Sequence, residues 1–528
     1  MLTECIQCVQ VAFLLIFLLF WPGFVLQRVL IGTDDALEVF VFSTGFGLAF
    51  YTIMCPVLDV VWNISVIPFV CIIVLLSGLL IFRKPQKLTF PEKWELFIIV
   101  LILCYGFLLR SYTLFDILPE GQDPWWHLSF IDHIHQTHTL PQVLPWLEPE
   151  RLVTIQIYPP GAHCVGALVN EPLEDISFPL TQVFFITLGT GSVLSSYVVF
   201  RRLLEKKVAL LSTFFVAVFL PHMGMTTEIT AQAVAIFSYP LVLYFFYKGK
   251  WIASGILLGA VILIHHLTAL AVVFPLLTFA VVCLLLKKWK YFLSFFLVSG
   301  IALALSAPWW MQRTLFLTWP QPEVVGGVVL EVLYNPYIEM ISPLFVVLSM
   351  VGFFLFLKRR EEFSLFLIAW AVVLFVAAEP ASPIKFSNHR FLAFFVFPCS
   401  VMASVGLLEV KKRLKKIPFV LLLLFVFFAY PPHFWSTTGE ENLMANEWME
   451  DSTLDSVFYV YGSRYTFVYP LSHRRIYWIF DFDNPFGYEG EKAEYFYDDS
   501  LWIPHDISRF GEYDRVYSCF GVVIYRIE

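Results

Sequence analysis

The sequence predicts an all-α polytopic membrane protein of about 14 transmembrane helices, with a small C-terminal α/β domain outside the membrane. Three observations support this fold class. Of the 528 residues, 59% are hydrophobic and only 14% are charged, whereas soluble domains carry about 25% charged residues. Apolar stretches of spanning length recur up to about residue 431. After that point the sequence is polar and contains no stretch of spanning length.

The predicted transmembrane helices are apolar stretches separated by short loops that contain charged residues or proline, as in a helical bundle. Their approximate positions are 10–30, 38–56, 58–82, 94–114, 178–200, 208–221, 233–247, 251–266, 268–286, 291–308, 341–357, 363–378, 391–409 and 417–431. Several are short for a hydrocarbon core about 30 Å thick, so we expect some boundaries to move, and one pair could be re-entrant. The first stretch lacks a basic leader and a cleavage site, so we interpret it as a retained helix rather than a signal peptide.

The orientation follows from the positions of Lys and Arg, because short loops rich in these residues stay in the cytoplasm. When the spans alternate, six basic clusters fall on one side: Arg83, Lys84, Lys87; Arg201, Arg202, Lys206, Lys207; Lys248, Lys250; Lys287, Lys288, Lys290; Lys358, Arg359, Arg360; and Lys411, Lys412, Arg413, Lys415, Lys416. The N-terminus, the C-terminal segment and the loops 115–177, 221–232, 309–340 and 379–390 are then extracytoplasmic. We predict a multi-pass protein of the cell membrane.

The segment after residue 431 differs from the rest of the chain in composition. From residue 432 onward it contains seventeen acidic and seven basic residues. The spacing of its apolar residues predicts a helix at Glu440–Glu450. Runs rich in β-branched and aromatic residues predict strands at Ser456–Tyr461, Tyr465–Tyr469, Arg475–Phe480 and Val516–Arg526. Residues 432–528 are therefore predicted to form a soluble extracytoplasmic α/β domain.

Composition and motifs also exclude several classes of function. The formal net charge of -8 argues against a nucleic-acid partner, which normally meets a basic face. The sequence contains no Walker A loop, no GxGxxG after a strand and no HExxH, so it does not support a soluble nucleotide-binding fold. Cys5 and Cys8 form an isolated CxxC, which is weak evidence for zinc or redox chemistry.

The first large loop contains the motif Gly-Gln-Asp-Pro-Trp-Trp-His, in which the acidic residue is Asp123 and the last residue is His127. Asp123 followed by proline is typical of a helix start, with the carboxylate as N-cap. An apolar stripe follows at Trp126, Phe130, Ile131 and Ile134. The pattern predicts a helix that lies in the extracytoplasmic interface and is anchored by the tryptophan pair. The simplest interpretation of Asp123 is that it only caps this helix.

Other polar residues occupy helix ends and turns on the same predicted side. They are Tyr158 and His163 in the turn Tyr-Pro-Pro-Gly-Ala-His, Glu228, the neighbours His265 and His266, Arg313, Lys385 and Arg390. Ionisable residues near membrane depth are costly and usually face a cavity, so these residues predict a polar site that opens outward. For Arg110 and Arg151 we expect the charged end to snorkel to the surface. Arg390 directly opens a span and is a candidate donor to a phosphate.

These motifs together resemble the GT-C superfamily of integral-membrane glycosyltransferases, which includes protein mannosyltransferases, aminoarabinose transferases and oligosaccharyltransferases. The resemblance rests on the Asp123 motif followed by Tyr-Pro-Pro-Gly, on His265-His266-Leu-Thr-Ala, and on Asn-His-Arg-Phe at the start of a late span. It also includes Glu-Asn-Leu-Met-Ala-Asn-Glu-Trp-Met, which is similar to the post-membrane helix of archaeal members. The resemblance covers about residues 94 to 460. It depends on the order of these short motifs along the chain and on their prediction on the same side of the membrane.

The resemblance implies two membrane domains, in addition to the C-terminal domain predicted at 432–528, and an activity. Residues 1–90 would be an N-terminal three-helix membrane module, and 91–431 a GT-C-like transmembrane catalytic domain whose loop is 115–177. The implied reaction moves a sugar from a polyprenyl (dolichyl) phosphate donor to a lipid, glycan or protein acceptor on the extracytoplasmic face, with inversion. It would need no cofactor and no metal.

The resemblance also implies roles for individual residues. Asp123 matches the loop carboxylate that acts as general base on the acceptor hydroxyl. Arg390, helped by Lys385 or Arg313, would stabilise the leaving phosphate. The remaining candidates are expected to bind substrate: His127, Tyr158, His163, Glu228, His265 and His266.

Two alternatives stay open. A metal-dependent oligosaccharyltransferase could use Asp123 and His127, spaced i and i+4, as ligands of a divalent metal. The Trp-Trp-Asp-Tyr-Gly motif of that class is absent, because Trp309-Trp310 continues as Met-Gln. Asp123 is followed by proline where protein mannosyltransferases have Asp-Glu, so the acceptor class cannot be taken from them. A transporter or flippase of lipid-linked sugars would instead need inverted repeats and charges at mid-membrane, which the sequence does not clearly show.

Overall fold

The computed structural model describes residues 15–83, 87–111, 114, 123–141, 158–173, 175–316, 342–359, 361–378, 388–413, 457–461, 475–478, 495–499, 514–519 and 522–526. The α-helices within these ranges are α1 (Trp21–Leu30), α2 (Ala36–Val61), α3 (Val66–Ser77), α4 (Lys93–Arg110), α5 (Asp123–Thr137), α6 (Gly161–Asn170), α7 (Phe178–Leu203), α8 (Lys206–Val218), α9 (Leu220–Gly224), α10 (Ala231–Tyr247), α11 (Trp251–Ile264), α12 (His266–Leu285), α13 (Trp289–Phe316), α14 (Pro343–Arg359), α15 (Glu362–Ala378) and α16 (Leu392–Arg413). Short 3-10 or π segments lie at Leu15–Phe20, Gly78–Phe82 and Asn388–Phe391.

The helices follow the apolar stretches of the sequence. Every predicted span from 10–30 to 391–409 contains a helix, whereas 417–431 lies outside the described residues. By length and composition, five described helices can cross a membrane: Ala36–Val61, Phe178–Leu203, His266–Leu285, Trp289–Met311 and Leu392–Arg413. Other apolar helices are shorter, so the count of about 14 spans stays a prediction. The predicted boundary at residue 58 is wrong, because α2 continues to Val61 and the next helix begins at Val66.

Helix α6 is a buried element that the sequence pattern did not predict. Hydropathy windows of spanning length miss it because it has only ten residues, all of them buried. It packs tightly against its neighbours through two glycines. A Cβ on Gly161 would lie 2.4 Å from the Thr52 side chain and 2.8 Å from the Leu263 carbonyl, and one on Gly166 would lie 2.5 Å from Ile131. Only glycine allows these close approaches.

Helix α5 is largely buried within the protein, and its position in the extracytoplasmic interface stays a prediction. Its apolar residue Ile131 and its polar residues Ser129 and Asp132 are all buried. The polar residues of the helix form hydrogen bonds within the protein. For example, the Gln136 side-chain amide donates to the Asp132 carboxylate at 3.1 Å. The amphipathic pattern indicated two environments, but apolar and polar residues of α5 are both buried, and α6 packs against the helix.

A group of ion pairs joins α2, α4, α7 and α8 at one end of the bundle. Arg201 bridges Asp35, the N-cap of α2, and Glu95 of α4, with 3.0 Å between Arg201 Nη1 and Glu95 Oε1. Lys206 lies 3.1 Å from the other Glu95 oxygen, and the Tyr197 hydroxyl donates to Glu95 at 2.6 Å. The Glu95 carboxylate is only 1% exposed, so its burial depends on these partners.

The contacts at the two ends agree with the predicted alternation of loops. The ion pair between Arg202 and Glu38 joins the second basic cluster to the first turn of α2, which the alternation places on the same side. At the opposite end the Ile64 N–H donates to the His138 carbonyl at 2.8 Å, which joins the turn between α2 and α3 to the predicted extracytoplasmic loop 115–177. Which end faces the cytoplasm stays a prediction from the Lys and Arg distribution.

The C-terminal segment contains a five-stranded sheet. Its strands are β1 (Val457–Tyr461), β2 (Arg475–Trp478), β3 (Tyr495–Asp499), β4 (Asp514–Cys519) and β5 (Val522–Arg526), in the order β2-β1-β3-β5-β4. The β2-β1-β3 neighbours are parallel, and the β3-β5 and β5-β4 neighbours are antiparallel.

The sheet matches part of the strand prediction. Strands lie where 456–461 and 475–480 predicted them, but the single strand predicted at 516–526 is a pair, and β3 was not predicted. Helix 440–450 and strand 465–469 lie outside the described residues, so the α/β character of the domain stays a prediction.

Replacing Arg201 with methionine should destabilise the bundle. It leaves Asp35 and the buried Glu95 without their shared cation, which costs about 3 kcal/mol when a buried ion pair loses one partner. The thermal unfolding temperature of the purified protein measures this. Lys412→Met, which breaks an exposed ion pair with Glu409, is the matched control and should have almost no effect. Equal effects of the two substitutions would contradict the structural role of Arg201.

Candidate functional site

Two hydrogen-bonded histidines from α5 and α6 form the centre of the site. His127 Nδ1 lies 2.8 Å from His163 Nε2, and the backbone N–H of Ala231 donates to His127 Nε2 at 3.4 Å. A backbone amide can only donate, so His127 Nε2 is unprotonated. A neutral His127 then carries its proton on Nδ1 and donates it to His163. The amide of α10 thereby fixes the tautomer of His127 and the direction of the hydrogen bond.

Both imidazoles are removed from solvent. His163 is 1% exposed and His127 is 7% exposed. Burial lowers the pKa of His163 well below its usual value, and the neighbouring His127 lowers the pKa further. His163 is therefore neutral at neutral pH. Its burial suits a residue that holds His127 in place better than one that meets substrate directly.

Aromatic rings surround the histidine pair. The Tyr158 ring lies 5.5 Å from His127 and 5.6 Å from His163 between centroids, and His266 meets its edge at 5.8 Å. Phe130, which the sequence did not single out as a site residue, lies 4.7 Å from His163. Tyr158 is half-buried and His266 is exposed, so these two form the accessible side of the cluster.

His265 and His266 lie at the break between α11 and α12, and their roles differ. His265 is buried and caps α12, since its Nδ1 accepts the Thr268 N–H at 3.2 Å and lies 2.8 Å from the Thr268 hydroxyl. Arg390 is half-buried in the 3-10 turn before α16 and interacts electrostatically with both histidines. A cation therefore stands beside the accessible side of the cluster.

The structure brings six of the predicted site residues together. They are His127, Tyr158, His163, His265, His266 and Arg390. Glu228 is half-buried in the segment that leads to Ala231.

The other predicted site residues are only partly placed. Asp123 is the first residue of α5, one helical turn before His127, and Arg313 lies in the last turn of α13. The side chains of both are outside the described part, as are Lys385 and Arg151 entirely.

Arg110 does not snorkel to the surface, so that prediction is wrong. It is fully buried at the end of α4, and it donates to the Thr226 hydroxyl at 2.7 Å and to the Ala217 carbonyl at 3.0 Å. In the sequence, Arg110 lies at the end of an apolar stretch, and the neighbouring residues look the same whether such an arginine snorkels to the surface or is buried. Its partners lie more than a hundred residues away, so no local signal could reveal them.

The described side chains do not test the metal alternative. Among them, no three His, Cys, Asp or Glu residues are arranged to hold a metal ion. Asp123, on which that alternative depends, is not in the set. The absence of a cofactor also stays a prediction.

An apolar groove begins next to Arg390. It has a volume of about 830 Å³ and runs between α14, α15 and α16. Representative lining residues are Phe345, Met350, Phe353, Phe375, Leu392 and Phe395. Leu392 is two residues after Arg390, and Met350 and Phe375 are exposed on the flank of the bundle. The groove thus extends from the exposed flank to the start of α16, which follows the turn that contains Arg390.

Two kinds of solved membrane protein share this architecture. ArnT from Cupriavidus metallidurans, bound to undecaprenyl phosphate, superposes with a TM-score of 0.55 at 13% identity over 82% of this chain and 98% of that chain. The oligosaccharyltransferase AglB from Archaeoglobus fulgidus, in complex with an inhibitory peptide and a dolichol-phosphate, gives 0.54 at 14% identity over 73% of this chain. The chain has the GT-C fold.

The likeness lies in structure rather than sequence. No family model and no curated protein matches the sequence. The apo form of the Archaeoglobus fulgidus oligosaccharyltransferase also superposes, with a TM-score of 0.52 at 14% identity. This chain spans only 64% of the length of the archaeal enzyme. The GT-C resemblance of the short motifs is confirmed at the level of the fold.

Acidification should loosen the histidine pair. The pKa of His163 is lowered in the folded protein, so the unfolded chain takes up a proton first as the pH falls below about 6.5. The stability linked to His163 is thus complete above that pH and is lost below it. Thermal unfolding between pH 5 and 8 should show a shallower acid decline in His163→Phe than in the wild type. Thr137→Val, at an exposed hydroxyl, should keep the wild-type slope, and an unchanged slope in His163→Phe would contradict this linkage.

Proposed function

We propose that this protein is a membrane glycosyltransferase of the GT-C type that moves a sugar from a polyprenyl-phosphate donor to an acceptor at the extracytoplasmic face. The observation that carries the proposal is that Arg390 interacts electrostatically with His265 and His266 and lies two residues before Leu392, which lines the apolar groove. A lipid-linked anion needs these three features together: an apolar channel for its chain, a cation for its phosphate, and a polar pocket for its sugar.

The groove suits the polyprenyl chain of the donor. Its lining is apolar, and burial of each methylene contributes about 0.8 kcal/mol. A phosphate at the end near Leu392 would be within reach of the half-buried Arg390, whose guanidinium can donate two parallel hydrogen bonds. The solved ArnT and AglB complexes contain undecaprenyl phosphate and dolichol-phosphate, which supports a donor of this class.

Asp123 is the proposed general base. Its carboxylate takes the proton of the acceptor hydroxyl while that oxygen forms a bond to the anomeric carbon. The bond from that carbon to the phosphate oxygen breaks on the opposite face, so the configuration inverts and polyprenyl phosphate leaves as an anion. Arg390, with Arg313 or Lys385, stabilises the charge on the leaving group. Because α5 begins at Asp123, the base is one helical turn from His127.

The accessible side of the cluster is the proposed sugar pocket. Tyr158 offers a half-buried ring and hydroxyl, and exposed His266 offers a ring nitrogen beside it. His127 and His163 lie behind them and keep α5 and α6 in register. Glu228 lies on the neighbouring segment and completes the set of candidate substrate contacts. The proposed acceptor is a lipid, a glycan or a protein.

The likeness to AglB favours one second candidate, a metal-dependent oligosaccharyltransferase. In that case Asp123 and His127 would coordinate a divalent cation. Asp123 would then not act as the general base, and His127 would not only hold α5 against α6. Sensitivity of sugar transfer to a chelator separates the two candidates.

Asp123→Asn should abolish most of the transferase activity. The amide keeps the shape of the side chain but cannot accept the proton, and general-base catalysis contributes about 10²- to 10⁴-fold. The measurement is sugar transfer in proteoliposomes with a panel of dolichyl- and undecaprenyl-phosphate monosaccharides, with and without EDTA. Glu361→Gln, at the opposite end of the bundle, is the control with full activity. Full activity of Asp123→Asn would refute the base, and activity lost only with EDTA would favour the metal-dependent candidate.

Arg390→Ala should weaken the affinity for polyprenyl phosphate and slow turnover. Arg390→Lys should restore part of both, because lysine supplies the charge without the two parallel donors. Binding of undecaprenyl phosphate, followed by native mass spectrometry, reports on the first effect, and initial rates report on the second. Arg359→Ala removes an exposed arginine at the other end of α14 and should change neither. Unchanged affinity and turnover in Arg390→Ala would exclude a phosphate role.

A further inference from the structure

Arg110 is a buried cation that the proposed reaction does not use. It is the last residue of α4 and is 0% exposed. Its hydrogen-bond partners within the described chain are the Gly106 and Ala217 carbonyls, the Thr226 hydroxyl and His222 Nδ1, all of which are neutral. A buried charge is costly, so a residue placed here needs a reason beyond the filling of space.

One partner exists because of a break in the adjacent helices. Helix α8 ends at Val218 and α9 begins at Leu220, with proline at position 221. Proline has no N–H, so the carbonyl four residues earlier, that of Ala217, lacks its helical donor. Arg110 Nη1 donates to this carbonyl at 3.0 Å and replaces the missing backbone hydrogen bond.

The other contacts fix the turn that follows the break. The Ser192 hydroxyl donates to the Gly189 carbonyl at 2.5 Å, so it can accept from His222 Nε2–H at 3.1 Å. His222 Nδ1 is then free of a proton and accepts from Arg110 Nη2 at 2.9 Å. Hydrogen bonds with one consistent direction therefore run from α4 through α9 to α7.

Thr226 extends this arrangement toward the candidate site. It accepts from Arg110 Nε at 2.7 Å and donates to the His222 carbonyl at 2.8 Å. It also lies so close to α7 that a Cβ on Gly189 would be 2.6 Å from it. Five residues later the Ala231 N–H meets His127.

We propose that Arg110 is a positioning residue of the transfer site: it clamps the turn between α8 and α10 and so keeps the Ala231 amide against His127. Its effect on catalysis rests on the proposed function, whereas its effect on the backbone does not. Because α4 leads into the loop that ends at Asp123, the same residue also ties the start of that loop to the turn.

Hydrogen exchange of the full-length protein in nanodiscs tests the clamp without any substrate. In Arg110→Met the amides of 222–233 should exchange about tenfold faster, because hydrogen bonds to a charged group are lost. Arg110→Lys should show a smaller increase. Lys412→Met is the control, since it removes an exposed cation at the far end of α16 and should leave 222–233 unchanged. Should Arg110→Met fail to fold, Thr226→Val must show the same local increase.

Catalysis separates a positioning role from a merely structural one. The turnover number for sugar transfer should fall in Arg110→Met and recover partly in Arg110→Lys, while the affinity for undecaprenyl phosphate stays unchanged. Unaltered exchange at 222–233, or a uniform increase over the whole chain, would overturn the clamp. Faster local exchange with a wild-type turnover number would overturn the positioning role. If the wild type transfers no sugar, the proposed function fails, and the exchange result still decides the clamp.

Discussion

A polar group among these apolar helices must find its hydrogen-bond partner within the protein, because hydrocarbon offers none. The bundle meets this requirement by placing its polar groups where several helices converge. At one end Arg201 and Glu95 join helices that are distant in sequence. At the other end Arg110 supplies the donor that Pro221 lacks, and the Ala231 amide meets His127. The buried polar contacts thus hold the helices in register where apolar packing is less specific.

Close backbone contacts complement these polar ones. A Cβ on Gly352 would lie 1.9 Å from the Met402 carbonyl, so α14 and α16 touch along their length. These two helices, with α15, also line the apolar groove. A rigid α14 and α16 pair therefore sets the width of the groove and the position of Arg390 at the start of α16. The cation and the channel for the lipid are thereby parts of one packed unit.

The candidate site combines fixed and accessible side chains. His163 and His265 are buried and hold other elements in place, the first through His127 and the second as a helix cap. Tyr158 is half-buried and His266 is exposed, so both side chains are accessible. Because buried side chains hold the accessible ones in place, the site keeps its geometry when a substrate enters.

The sequence by itself determined the helix positions, the alternation of the loops between two ends of the bundle and most residues of the candidate site, because apolar runs and basic loops are local signals. The tertiary structure alone decided which polar residues are buried and what each one contacts. Arg110 and Thr226 are 116 residues apart, and His127 and Ala231 are 104 residues apart. Hydropathy depends on neighbours along the chain, so it did not reveal the burial of the polar residues of α5, missed the short α6, and could not distinguish a snorkelling arginine from a buried one. Those distinctions depend on partners that only folding brings together.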